Sequence, residues 1–199
     1  DNLMRLVENP TSDYFYQENV GNFGKIKTYY IPHHRAHAAN AFFLSKFDDA
    51  AILTADAQGE YESTTFCVGK ENKIDVLETI NYPHSLGALY STFTEFLGFR
   101  ANSDEWKVMA MASYADYNNK YYEIMKNEVV KFCDNGKFEL NLNLFNGYLH
   151  EHPNLYSEKL VDLFGQSRNY SDEMKDEHYQ IASALQKISE DISVHLLEH

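Results

Sequence analysis

The spacing of hydrophobic and polar positions predicts an α/β arrangement in the first half of the chain. Residues 25–31 alternate and predict a strand, and Pro32 suits the entry to a helix that runs to about Ser45. Three strands follow, and the short turns between them favour an antiparallel meander. The first of the three is apolar throughout and is expected to be central. The strands are predicted over 50–55, 62–68 and 74–80, and a short helix over 3–8.

Helical periodicity dominates the second half. Ser85 is predicted to cap a helix that Gly98 ends, and Asn135-Gly136 is predicted to form a tight turn. An aromatic stripe along the first of these helices is expected to be core. The end of the chain predicts a long amphipathic helix. The elements are helices over 86–97, 102–112, 121–132, 154–164 and 172–196, a weak strand over 138–145 and a loop over 146–153.

Composition narrows the classes of protein that fit. The 199 residues are 44% hydrophobic, which allows one good-sized domain, or one and a piece. A net charge of -13 argues against a nucleic-acid surface. No apolar run approaches the ~18–20 residues of a membrane span, and no signal peptide is evident. Cys67 and Cys133 form no CxxC motif and are expected to be reduced thiols of a cytoplasmic protein.

Two histidines and an aspartate are the clearest candidates for chemistry. His33 and His37 are four residues apart on a predicted helix and share a face, so both rings can hold one ion. Asp56 ends an apolar strand, where it is a third ligand or a strand-end cap. His34 points away from the pair, which predicts a surface or supporting role. The amides of the following turn, Gln58-Gly59-Glu60, either cradle a phosphate or form a plain hairpin turn.

Four ordered motifs resemble a known family. They contain the two histidines, the turn after Asp56, the helix start at Ser85 and a segment around Lys107. Lys107 is expected to pair with Glu105 or to reach a cleft. The stretch over 28–115 resembles the O-carbamoyltransferases of antibiotic and nodulation-factor biosynthesis, and 179–186 does so more weakly. The motifs are HHRAHAANAF at 33–42, DAQGE at 56–60, YPHSLGALYS at 82–91 and EWKVMAMASY at 105–114.

This resemblance implies a fold, a reaction and a set of cofactors. Members join an actin-like, ribonuclease-H-like domain to a C-terminal YrdC-like domain. The YrdC-like domain makes carbamoyl-adenylate from carbamoyl phosphate and ATP, and the actin-like domain passes the carbamoyl group to a hydroxyl of a sugar or other small acceptor. A divalent metal, iron in characterised relatives with magnesium or zinc as alternatives, holds the adenylate phosphate. Carried over by motif, its ligands are His33, His37 and Asp56, with Gln58, Gly59 and Glu60 beside the phosphate.

The resemblance also predicts how the chain is divided. Residues 1–46 are expected to end the first lobe of a mixed α/β, actin-like domain, and 47–196 to begin the second lobe with a helical insertion. Residues 197–199 look like a tag remnant. The chain is therefore expected to be a fragment that is inactive alone, with the YrdC-like domain and a further aspartate ligand downstream. Ala57 and Ala110 stand where the family usually has glycine, which affects the phosphate turn more than the fold.

Two alternatives remain open from the residues. A metal-dependent hydrolase could use the same ligands, but it would need a general-base glutamate, and His34, Arg35 and Ala36 stand between the histidines. A non-catalytic binding or scaffold module of the same fold is also consistent with the alanine changes. No residue of the chain can be assigned as the catalytic base for the acceptor hydroxyl.

Overall fold

The computed structural model describes residues 15–21, 24–149 and 152–198, with side chains described from Ile31 onward. Its contacts divide the chain into two units. Unit 1 holds the residues up to Thr54 together with 65–78, and unit 2 holds 55–64 together with 79–199. The helix predicted over 3–8 lies outside the described residues. The predicted division into 1–46 and 47–196 stays a prediction.

Unit 1 contains a hairpin, a helix and most of a three-stranded sheet. Strand β1 (Phe15–Gly21) pairs antiparallel with β2 (Gly24–Tyr30), from Phe15 opposite Tyr30 to Gly21 opposite Gly24. This confirms the strand predicted over 25–31. Helix α1 (His33–Phe43) begins after Pro32, whose carbonyl accepts the amide N–H of Ala36. The following strands are β3 (Asp49–Ala55), β4 (Glu62–Lys70) and β5 (Lys73–Asn81).

The order of the sheet is β3-β4-β5, so the expectation that the first of these strands is central is wrong for this sheet. Among the strands that the structure describes, β3 is at an edge of this sheet, and only Ile52 and Thr54 of it are buried. The small alanine side chains of β3 are compatible with partial exposure, so an apolar run of this kind does not require a central strand. The buried side of α1 packs on this sheet around Ala38, Phe42, Ile52 and Cys67.

Unit 2 begins its helical part with a well-defined helix start. Helix α2 (Leu86–Phe96) has Ser85 as N-cap, whose Oγ accepts the N–H of Ala88 at 3.1 Å, as predicted. Gly98 follows its end with a φ of +79°, which favours glycine. Helix α3 (Glu105–Ala112) begins three residues later than predicted, because Asn102 adopts a φ of +60° and the chain turns there.

The helix predicted over 121–132 is wrong in its last part. Helix α4 (Lys120–Ile124) continues as a π-helical turn (Met125–Val129), and then β6 (Val130–Phe132) pairs antiparallel with β7 (Phe138–Leu140). The predicted turn at Asn135-Gly136 explains this, since Gly136 at a φ of +71° returns the chain. Beyond β7, a 3₁₀ turn (Leu142–Leu144) replaces the rest of the predicted weak strand.

Two helices complete unit 2. Helix α5 (Glu158–Phe164) starts four residues later than predicted, because Tyr156 pairs with Phe145. Helix α6 (Asp176–Leu197) also starts four residues late, since the Asp172 carboxylate accepts the Asn169 N–H outside it. The predicted apolar face of α6 is confirmed as core. Its fully or almost fully buried residues are Ile181, Leu185, Ile188, Ile192 and Leu196.

The aromatic stripe of α2 packs in the same core. Phe93 and Phe96 are buried, and Phe93 meets the ring of Phe164 edge to face at 5.0 Å between centroids. The mixed α/β class with antiparallel pairing and flanking helices is thus confirmed, and the actin-like architecture stays a prediction. Cys67 and Cys133 are both free thiols. None of the described helices is long and apolar enough to span a bilayer.

Candidate functional site

The two predicted histidine ligands face each other on α1 of unit 1. His33 and His37 lie one turn apart, with ring centroids 4.5 Å apart, and their Nε2 atoms approach to 3.0 Å. The spacing follows from the helix, because residues i and i+4 share a face. The buried face of α1, through His34, Ala38 and Phe42, fixes the direction in which this pair projects.

The geometry of the pair fits a shared metal ion. Imidazole nitrogens bind zinc at about 2.0–2.1 Å, so two nitrogens 3.0 Å apart are close enough to be ligands of one ion. In this structure the two Nε2 atoms share a hydrogen bond, and the pair is a candidate for two ligands of a divalent metal.

His34 lies in the protein interior, so a surface role for it is wrong. Its side chain is buried, and Nδ1 lies 2.7 Å from Oγ1 of Thr54 on β3. Thr54 Oγ1 in turn lies 2.6 Å from Oγ1 of Thr65 on β4. This buried chain of hydrogen bonds ties the first turn of α1 to two strands, and so it orients the His33–His37 pair.

Asp56 is held at the first loop of unit 2 by three hydrogen bonds. Its N–H donates to the carbonyl of Ser63 at 2.9 Å, and its Oδ1 accepts the N–H of Ala57 at 2.7 Å. Ser85 Oγ donates to the Asp56 carbonyl at 3.0 Å while it caps α2. The carboxylate is half-buried. The backbone of Asp56 is therefore held by the same serine that starts α2, and the N–H of Ala57 orients the carboxylate.

The turn after Asp56 has part of its hydrogen bonding within the loop. The N–H of Gly59 donates to the carbonyl of Glu62 at 2.7 Å, which is the pattern of a hairpin turn. The start of α2 lies close against this loop, since a Cβ on Gly87 would meet Cα of Ala57 at 2.7 Å. Phosphate binding by Gln58, Gly59 and Glu60 stays a prediction.

A cavity of about 760 Å³ opens in unit 2 beside Asp56 and Ala57. It lies between α2, α3 and α6, and Glu105 is one of its lining residues. The predicted pairing of Lys107 with Glu105 is not found. Lys107 Nζ binds Asp104 at 2.9 Å, whereas Glu105 accepts the hydroxyl of Ser91 at 2.8 Å. The remaining walls are mixed, with Tyr90, Asn102, Gln186 and Glu190 among the polar side chains and Leu86, Met109 and Val194 among the apolar ones.

The Tyr90 phenol, which lines this cavity, is subject to the negative charge of two carboxylates. Burial raises the pKa of the Tyr90 phenol well above its usual range, and the carboxylates of Glu105 and Glu190 raise it further. The phenol is therefore neutral and donates to Oε1 of Gln186 at 3.1 Å. Sequence reasoning missed this cavity, because its residues come from three separate helices. The sequence signal that could have indicated the cavity is a polar strip on α6 that includes Gln186 and Glu190.

The comparisons with known proteins identify the family. The family model described as carbamoyltransferase N-terminus matches residues 11–199. The chain therefore belongs to the carbamoyltransferase N-terminal family, which confirms the resemblance seen in the motifs.

Individual relatives agree with this assignment. The chain is 34% identical over 184 residues to the uncharacterized protein sll1178 of Synechocystis, covering 89% of the chain and 29% of that protein. It is 28% identical to the nodulation protein NolNO of Sinorhizobium fredii, covering 85% of the chain and 23% of that protein. It is also 28% identical to the nodulation protein NolO of Bradyrhizobium diazoefficiens, covering 84% and 28%. The chain thus spans less than a third of the length of these relatives.

Proposed function

We propose that this chain supplies the metal-holding part of an O-carbamoyltransferase that carbamoylates a hydroxyl of a sugar or other small acceptor. The observation that carries the proposal is the approach of His33 and His37 Nε2 to 3.0 Å in a chain of the carbamoyltransferase N-terminal family. In this structure the two Nε2 atoms share a hydrogen bond, which already holds the rings together on one face of α1. In the proposal a metal ion replaces the shared hydrogen.

Asp56 is the third ligand in this proposal. Asp56 follows the end of β3 in sequence, and the motif that contains it is the reason for including it. His33, His37 and Asp56 carry imidazole and carboxylate side chains, which are the types that hold a divalent metal ion. Two imidazoles and a carboxylate suit iron and zinc better than magnesium, and iron is proposed because the family resemblance implies it.

The proposed metal ligands and the loop after Asp56 have different roles in the proposed chemistry. A divalent metal at these residues would supply charge neutralisation and Lewis acidity for the adenylate phosphate. The hydrogen bond from Ala57 to Asp56 keeps the carboxylate in one orientation, and the His34–Thr54 bond does the same for α1. In this proposal the backbone amides of the turn Gln58-Gly59-Glu60 face the phosphate, with the N–H of Gly59 shared with the carbonyl of Glu62.

The proposed reaction is the transfer of the carbamoyl group from carbamoyl-adenylate. The acceptor oxygen attacks the carbamoyl carbon, the bond from that carbon to the phosphate oxygen breaks, and AMP leaves. The hydroxyl proton passes to a base outside the residues assigned here. ATP and carbamoyl phosphate would be consumed by a YrdC-like domain of the whole protein, in the cytoplasm, and this chain alone is expected to be inactive.

Calorimetric titration with Fe²⁺ tests the proposal. The wild type is expected to bind one equivalent, and both His37→Ala and Asp56→Asn are expected to lose most of the affinity. Asn keeps an oxygen for the Ala57 N–H, so the second variant removes the charge and spares the loop. His152→Ala, at an exposed histidine that is not part of α1 or of the motifs, is the matched control.

The outcome also separates the alternatives. Equal Fe²⁺ binding by wild type and His37→Ala would contradict the proposed ligands. If the chain binds no Fe²⁺, a preformed site at these residues is contradicted, and the same titration of the whole protein then separates a missing downstream ligand from a site that has decayed.

A further inference from the structure

Two buried hydroxyls and a buried thiol continue the hydrogen bonding of His34 into the sheet of unit 1. Thr54 Oγ1 lies 2.7 Å from His34 Nδ1 and 2.6 Å from Thr65 Oγ1. Thr65 Oγ1 also lies 3.4 Å from Sγ of Cys67, two residues further along β4. The exposed fractions of these four residues are only 3–6%. A partner lost from this row would therefore leave a buried polar atom unpaired, which is costly.

The direction of the hydrogen bonds is shared along the row. A threonine hydroxyl has one hydrogen, so Thr54 donates to His34 or to Thr65 but not to both. If Thr54 donates to His34, Thr65 must donate to Thr54. If Thr54 donates to Thr65, His34 must donate to Thr54. The bond that holds His34 therefore depends on Thr65 as well as on Thr54.

The alternation of β4 places Thr65 on the face that α1 covers. Side chains alternate along a strand, so Thr65 and Cys67 point to one face and Thr64 points to the other. Cys67 packs in one cluster with Ala38 and Phe42 of α1. Thr64 is fully buried too, yet its Oγ1 has no hydrogen-bond partner among the described residues. Of these two neighbouring threonines, only Thr65 belongs to the row.

His34 anchors a helix turn that has no capping side chain. The start of a helix is commonly held by a capping side chain, and Pro32 at the N-cap of α1 has none to offer. His34 is the buried residue of this first turn. It is next to His33 in the chain and three residues before His37. A shift or rotation of this turn would therefore move both proposed metal ligands.

We propose that Thr54 and Thr65 are positioning residues for the His33–His37 pair and act on it through His34. The proposal rests on the proposed function and deepens it, because metal affinity would then depend on two strands of the sheet as well as on α1. Residues that orient metal ligands without binding the ion typically change metal affinity about 10–100-fold. The effect here should be near the lower value, since the threonines act through one further residue.

Calorimetric titration of the protein with Fe²⁺ tests the proposal. Thr54→Val keeps the branched shape without the hydroxyl and is expected to bind Fe²⁺ about tenfold more weakly than the wild type. Thr65→Val is expected to show a smaller loss, because Thr54 can still donate to His34. Thr54→Ser retains a hydroxyl and is expected to bind as the wild type does. Thr64→Val, the same change at the threonine outside the row, is expected to leave the affinity unchanged.

A packing change in the same core separates positioning from a general loss of stability. Ile52→Val removes one methyl group from the cluster around Cys67 and leaves both hydroxyls of the row in place. It is expected to lower the urea midpoint of unfolding without weakening Fe²⁺ binding.

Imidazole nitrogen NMR of the metal-free protein gives a second readout. The Nε2 atoms of His33 and His37 lie 3.0 Å apart, and the hydrogen bond between them should give the two rings distinct nitrogen signals. These signals are expected to persist in Thr54→Ser and to be averaged in Thr54→Val, because the first turn of α1 then loses its polar anchor.

Three results would each overturn the proposal: Fe²⁺ binding by Thr54→Val as tight as by the wild type, a loss of affinity in Ile52→Val as large as in Thr54→Val, or no recovery in Thr54→Ser. If the wild type and His37→Ala bind Fe²⁺ equally, it is the proposed function that fails. The metal-free signals then decide this proposal, and their persistence in Thr54→Val would overturn it as well.

Discussion

Gly87→Ala tests whether the start of α2 must lie against the loop that carries Asp56. A Cβ at position 87 would stand 2.7 Å from Cα, 2.8 Å from N and 3.0 Å from Cβ of Ala57. Ordinary van der Waals contact begins near 3.4 Å. The loop would therefore have to move by about 0.7 Å, and the obstacle is backbone that Asp56 and Ser85 hold by hydrogen bonds.

The expected loss of stability combines two opposing effects. Alanine in place of glycine within a helix gains about 1 kcal/mol. Overpacking a close contact costs about 1–3 kcal/mol, and the cost should be near the upper value because backbone, not a flexible side chain, must yield. The net loss is about 1–2 kcal/mol in the free energy of unfolding. For a chain of this length that corresponds to a fall in Tm of about 3–6 °C.

Urea and thermal denaturation of unit 2, followed by circular dichroism, measure this loss. Gly87→Ala in the background of Ala57→Gly should recover only part of it, since glycine at 57 removes the Cβ contact and leaves the contacts to Cα and N. Metal titration of Gly87→Ala should also show weakened binding, because the displaced loop carries Asp56. A variant more stable than the wild type would refute the close approach.

Two further predictions concern the starts of α2 and α6. Ser85→Ala should lower the free energy of unfolding by about 2 kcal/mol, because a helix cap and a buried hydrogen bond to Asp56 are both lost; Ser113→Ala, at an exposed serine, should be near neutral in the same urea titration. His178 Nδ1 accepts the N–H of Lys175, and burial lowers the pKa of His178 from 6.5. Because His178 binds a proton more tightly in the unfolded chain than in the folded one, protonation favours unfolding. The contribution of His178 to the free energy of unfolding should be complete above pH 6.5 and should decrease as the pH falls below it. His178→Asn, which keeps an acceptor, should reduce that dependence in denaturation at pH 5 to 8; an unchanged dependence would contradict this role.

Local patterns predicted the elements that build the candidate metal pair. Helix periodicity and capping act over about four residues. For this reason the i, i+4 spacing was enough to predict that His33 and His37 face each other, and the serine before α2 was enough to predict the helix cap. Both features are present in the structure. The position of His34 could not be predicted in the same way. Its burial depends on Thr54, twenty residues away, which no local pattern indicates.

The errors have a shared origin in pairing between distant residues. Val130–Phe132 has helical spacing with the segment before it, yet it pairs with Phe138–Leu140 once Gly136 turns the chain. The alanine-rich strand β3 looked central because its run is apolar, although edge position is decided by which strands pair with it. The cavity that Glu105 and Glu190 line also depends on tertiary packing, so only the structure could show it.

The central claim is that His33 and His37 bind one metal ion together in a carbamoyltransferase. X-ray absorption at the iron edge of Fe²⁺-loaded protein tests it most directly, because multiple scattering from imidazole rings reports how many histidines bind the ion. Two imidazole ligands are expected in the wild type and one fewer in His37→Ala, measured without a histidine tag. An imidazole count that is the same in both proteins would contradict the claim.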